Sequence, residues 1–119
     1  MNWKHEAVEK LRNYTARRQA VRSMDREMTL DHGGMEGLVR LRELRNQRNR
    51  TALEVELVEA GLSALEPEER LILDRLYIHP MINGPDWLCQ ELGCELASVY
   101  RRRKRALRHF TAAMYGFSE

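Results

Sequence analysis

Helix breakers are scarce in this chain of 119 residues, which has three prolines and seven glycines. That scarcity leaves room for long uninterrupted helices, and the many Ala, Leu, Glu and Arg residues point the same way. Long apolar runs are missing too: none approaches the roughly 20 residues needed to span a bilayer. The opening segment MNWKHEAVEKLRNY lacks the apolar stretch of a secretory signal. A cytoplasmic protein without a membrane partner is therefore expected. Cysteine is limited to Cys89 and Cys94, which in a reducing compartment serve as packing residues. His5, His32, His79 and His109 form no ligand spacing with either cysteine or with one another, so no metal and no cofactor is expected. Also missing are a nucleophile with a matched base, a phosphate-cradling glycine loop and a metal-binding carboxylate set. The sequence does not look like that of an enzyme. The acids of residues 67–95 allow a nuclease site to be imagined, but they are more simply a balance for the basic last segment or a partner surface.

What is present is charge, at 32% of residues, unevenly distributed. Residues 1–34 carry seven Lys/Arg against five Asp/Glu, and residues 35–66 carry five against six. Residues 67–95 carry two against six, for −4, and residues 96–119 carry six against one, for +5. The basic excess at the end lies in Arg101, Arg102, Arg103, Lys104, Arg105 and Arg108, six cations in eight positions.

Apolar spacing of three and four residues predicts a first helix from about Trp3 to Met28, with a stripe of Trp3, Ala7, Leu11, Tyr14, Val21, Met24 and Met28. The paired glycines Gly33-Gly34 stop it. A second helix follows from about Glu36 to Ala60, striped by Leu38, Leu41, Leu44, Ala52, Val55, Val58 and Leu62. Two such helices joined by a short turn should form an antiparallel hairpin, each about 35–40 Å long at about 1.5 Å per residue. Folding back at Gly33 brings Arg18 near Arg48, with Arg17, Arg22 and Arg45 close by. Those like charges need acidic neighbours, which Glu54, Glu56 and Glu59 could supply from a second copy. A homodimer sharing a four-helix core is the resulting expectation.

Pro67, preceding Glu68-Glu69, marks the first turn of a third helix that Pro80 ends. Asn83-Gly84-Pro85 opens a fourth, closing near Gly93, and a last helix runs from about Glu95 or Leu96 to Tyr115. The segment from Leu88 to Val99 has helix-turn-helix spacing. Leu88, Cys89 and Leu92 face inward, Cys89 is small where the next helix crosses and is expected to be fully buried, and Gly93 permits a left-handed turn. Val99, Ala106, Leu107, Phe110 and Met114 pack back from the last helix. Its early turns are then free to enter a major groove of double-stranded DNA. At about 100° per residue the outward face holds Ala97, Ser98, Tyr100, Arg101, Lys104, Arg105 and Arg108. Arg102 and Arg103 fall nearer the core line, with acids of residues 67–95, such as Asp74 or Glu91, as candidate partners. The chain thus reads as all-α, with a helical hairpin over residues 1–61 and a helix-turn-helix domain over 62–119.

The segment Leu62 to Arg70, with Leu92-Gly93 and Arg105-Ala106-Leu107, resembles region 4 of sigma-70 factors. Arg75-Leu76-Tyr77-Ile78, with Val99-Tyr100-Arg101 and Arg105-Ala106-Leu107, is similar to phage-encoded regulators of the ArpU type, late-operon activators that also place a long helical segment before a sigma-region-4-like domain. The match covers about residues 62–110. Such families usually place serine at the N-cap of the recognition helix, where this chain has Glu95, which removes a hydroxyl from that position. The loop Pro80–Gly84 is longer than in those relatives. The resemblance implies a sequence-specific transcriptional regulator of prophage origin, with a contact to RNA polymerase. Alternatives are a DNA-packaging module such as a small terminase subunit, or a protein-interaction hairpin.

Overall fold

The computed structural model describes residues 2–30 and 32–116, and these are helical nearly throughout. Helix α1 spans Trp3–Met28 and begins where the Asn2 side chain accepts a hydrogen bond from the His5 amide, 3.1 Å. Its end is closed by the Thr29 and Leu30 amides, which donate to the carbonyls of Arg26 and Glu27. Helix α2, Gly34–Ser63, runs back along α1: Arg40 pairs with Glu27, Arg48 with Asp25 and Glu54 with Lys10.

Those pairs relieve part of the repulsion expected in the middle of the seam. Lys10 Nζ lies 2.8 Å from Glu54 Oε2, which also lies 3.7 Å from Arg17, and Arg48 Nε lies 2.9 Å from Asp25. The acids that answer Arg17 and Arg48 come from the same chain, so these two give no reason for a second copy, while Arg18, Arg22 and Arg45 have no acidic partner among the described residues. Nor is the seam a continuous apolar core. Val21, Met24 and Met28 are half-buried, Leu38 is exposed, and between Leu11 and Val55 Leu44 alone is buried among the described residues. An open groove of about 750 Å³ separates the helices there, lined by residues that include Asn13, Arg17, Gln47, Thr51 and Glu54.

Helix α3, Pro67–Leu73, starts with proline in its first turn and with the Glu69 carboxylate accepting from the Glu66 amide, 3.2 Å. The sequence predicts one helix to His79, but the last part is a π-helical turn over Asp74–Ile78, closed by the His79 amide donating to the Asp74 carbonyl at 2.7 Å. Helix α4 spans Gly84–Leu92 and α5 spans Leu96–Tyr115.

Two apolar clusters organise these elements. The larger joins Ala7 and Leu11 of α1, Val58 of α2, Leu65, Leu73, Tyr77, and Ala106, Leu107 and Phe110 of α5. Residues on both sides of position 62 therefore share one core. At its centre α2 and α5 touch through Gly61, where a Cβ would stand 2.6 Å from Cε1 of Phe110 and 2.8 Å from Cγ of Met114. The second cluster, Ile72, Leu88 and Val99, ties α3, α4 and α5 together, with Trp87, Cys89 and Leu92 partly buried around it. Cys89 is only half-buried, contrary to expectation, because Leu88 takes the central place at 0% exposure. Burial, then the neighbouring Cys94 and Asp86, nevertheless push its thiol pKa up. No helix of the described residues is long and apolar enough to cross a membrane.

Candidate nucleic-acid interface

Three residues, Gly93–Glu95, separate α4 from α5. Gly93 takes φ +64 and ψ +40, a left-handed conformation that ends α4 sharply and lets the chain turn into the next helix. The Cys94 amide donates to the Cys89 carbonyl across this turn, 3.1 Å. Val99, fully buried against Ile72 and Leu88, then fixes the rotation of α5 about its axis. Its apolar ridge continues through Ala106, Leu107 and Phe110, and everything about half a turn away must face solvent.

That outer face contains Ala97, Tyr100, Arg101, Lys104, Arg105 and Arg108, all exposed, with Ser98 half-buried at its edge. Leu96, absent from the sequence-based set, is also exposed in the first turn, at 42%. No side chain caps the start of α5. Among the described residues, Arg101, Lys104, Arg105 and Arg108 make no ion pair and no side-chain hydrogen bond.

The acids of α3 meet the flank of α5 instead. Arg102 Nη1 lies 2.6 Å from Glu68 Oε1, so its partner is an acid of residues 67–95, though not Asp74 or Glu91. His109 Nδ1 lies 2.5 Å from the buried Glu69 carboxylate. Asp74 is occupied by Arg75 and His79. Arg103 also departs from expectation: its guanidinium has no acidic partner and lies 5.2 Å from the centre of the Tyr100 ring, with Nε buried and without a hydrogen-bond acceptor. It therefore braces an aromatic side chain of the outer face rather than an acid beneath it. An i, i+3 spacing of tyrosine and arginine was the available signal for this contact.

The result is a helix with two electrostatic sides. Its flank is neutralised by α3, and its outer ridge keeps four cations, unpaired among the described residues, over about two helical turns. The exposed acids nearest in sequence, Asp86, Glu91 and Glu95, belong to α4 and to the turn before α5. Among the described residues no group of three or more His, Cys, Asp or Glu is placed to hold a metal ion. No family model, no curated protein and no solved structure matches the chain.

Proposed function

We propose that this chain is a non-enzymatic, cytoplasmic DNA-binding protein that sets α5 into the major groove, acting as a sigma-region-4-like transcriptional regulator of the phage ArpU type. The single observation that carries the reading is the outer ridge of α5, whose cations have no partners among the described residues. An unpaired ridge of Arg101, Lys104, Arg105 and Arg108 suits a polyanion, and a helix presented after a short left-handed turn suits a groove. Tyr100 and Arg101, nearer the helix start, reach base edges, while Arg105 and Arg108 hold phosphate. In this reading Glu68 and Glu69 hold α5 by its flank and leave the ridge free. A homodimer with paired reading helices and a contact to RNA polymerase are further parts of the proposal, for which the ion-paired seam gives no separate support.

The test is duplex affinity measured against salt. Arg105→Ala and Arg108→Ala should each reduce the slope of log affinity against log salt by about one and weaken binding alike on all sequences. Arg101→Ala should instead relax sequence preference by the ~1–3 kcal/mol of a bidentate base contact. Wild-type slopes in both phosphate variants would sink the assignment of α5 as the DNA-reading helix.

A further inference from the structure

Residues 11–53, the outer part of the hairpin, carry ten arginines against five Asp/Glu. Part of that excess is accounted for internally. Arg17, Arg40 and Arg48 have acidic partners, Arg12 lies over the Tyr77 ring and Arg50 donates to Gln47. Among the described residues, Arg18, Arg22 and Arg26 of α1 are exposed with no acidic partner, as are Arg42 and Arg45 of α2, although Arg18 also meets the Tyr14 hydroxyl. Asp25, three residues beyond Arg22, is taken by Arg48, and Glu27 by Arg40.

Arg18, Arg22 and Arg26 follow one another at steps of four residues, so they form a single ridge about 12 Å long. Like charges at this spacing disfavour a helix. Arg26 sits in the last turn, where a cation is favoured by the helix dipole, but Arg18 and Arg22 have no such compensation. Between them on the same exposed surface stand Thr15, Gln19 and Ser23, uncharged hydrogen-bonding side chains. A ridge of arginines interleaved with hydroxyl and amide groups is the chemistry that contacts nucleic-acid backbone without reading sequence. An arginine fork also suits phosphate in particular.

We infer that the outer face of α1 is a second DNA contact, made to the phosphate backbone of duplex flanking the segment that α5 reads. This inference rests on the proposed function. The molecule is 62 Å long, about 18 base pairs at roughly 3.4 Å each. A short duplex engaged by α5 therefore leaves the hairpin without DNA, and a long one reaches it.

The experiment compares random-sequence duplexes of about 15 and about 40 base pairs, lengths on either side of that span. It uses the wild-type chain, an Arg18→Gln/Arg22→Gln/Arg26→Gln variant and an Arg105→Ala/Arg108→Ala variant. The wild type should show a steeper salt slope on the long duplex by about two to three, at about 0.9 per phosphate contact. The triple variant should show equal slopes on both, and the α5 variant should lose affinity on both. The triple variant should also melt at or above the wild-type temperature, because its substitutions relieve like-charge repulsion. A triple variant that keeps the length-dependent slope overturns the inference and leaves the α5 assignment standing. A wild type that binds neither duplex defeats the proposed function and this inference together.

Discussion

The two ends of the molecule are built on different physics although the same two helices run through both. At the near end, Ala7, Leu11 and Val58 meet Leu73, Ala106, Leu107 and Phe110 in a core from which water is excluded, and most of these side chains are 0–1% exposed. At the far end, α1 and α2 are joined by Arg48–Asp25 and Arg40–Glu27 pairs whose members are 34–54% exposed. Leu30, Met35, Leu38 and Val39 at that tip stay in solvent. Buried apolar side chains contribute about 1.5–3 kcal/mol each, whereas exposed ion pairs contribute about 0–1 kcal/mol. Stability is therefore concentrated where α5 is held, and the far hairpin is an extension whose surface is free to be selected for charge.

That contrast is broken most severely at Phe110, the largest fully buried side chain. Phe110→Ala should cost about 3–5 kcal/mol in urea denaturation, from lost burial and the cavity left behind. Unfolding should release α1, α2 and α5 together, because all three line that cluster. A loss of less than about 1 kcal/mol, the scale of a surface change, would show that the near end is not the seat of stability.

Gly61 sharpens the same point from the opposite direction. In an isolated helix, replacing glycine by alanine gains up to about 1 kcal/mol. Here the added methyl would stand 2.6 Å from the Phe110 ring, which is itself immobilised. Gly61→Ala should therefore destabilise by about 1–3 kcal/mol, as overpacking does. Much of that loss should return in a Gly61→Ala/Phe110→Leu double variant. A single variant as stable as wild type would mean that α2 and α5 do not cross closely.

Much of the helical layout could be read from local signals, because helix ends are local events. The span Trp3–Met28 follows from apolar spacing and the glycine pair, and the starts of α3 and α4 follow from Pro67 and Asn83-Gly84-Pro85. The outward placement of Ala97, Tyr100, Arg101, Lys104, Arg105 and Arg108 follows from periodicity once Val99 is the buried reference. What could not be read locally depends on distant partners. Periodicity marks Val21, Met24 and Leu38 as stripe residues, but their burial depends on whether other elements pack over them, and Val21 and Met24 are only half-buried while Leu38 is exposed. Long flexible side chains choose among several acids, which is why Arg102 found Glu68 and Arg103 found the Tyr100 ring. The tight crossing at Gly61 depends on Phe110, a residue far away in the sequence, so no local signal marks it. The π turn at Asp74–Ile78 needs one hydrogen bond of unusual span, for which no sequence pattern was at hand.

The smallest effect expected is at the junction of the two ends, where Lys10 and Arg17 both reach Glu54. The hydrogen bond from Lys10, opposed in part by burial and helped by the charges of Lys10 and Arg17, holds the Glu54 carboxyl below its ordinary pKa. Burial works against the Lys10 ammonium, but Glu54 and Tyr115 together, through hydrogen bonds and charge, outweigh it and leave its pKa raised. A carboxyl whose folded pKa is depressed contributes stability above its unfolded pKa and loses it as the pH falls through the folded value. A raised lysine keeps its contribution until the pH climbs past its own folded value. The pair is thus intact across the neutral range and fails in acid. Glu54 is 39% exposed, so solvent screening limits the contribution to at most about 1 kcal/mol. Glu54→Gln should melt slightly below wild type at neutral pH and low salt. The gap should shrink as salt is added, and it should close as the pH drops below the ordinary glutamate range. Melting curves recorded along that pH series decide the matter: a gap that stays constant into acid would assign the loss to altered packing, and the two ends would then meet through contact rather than charge.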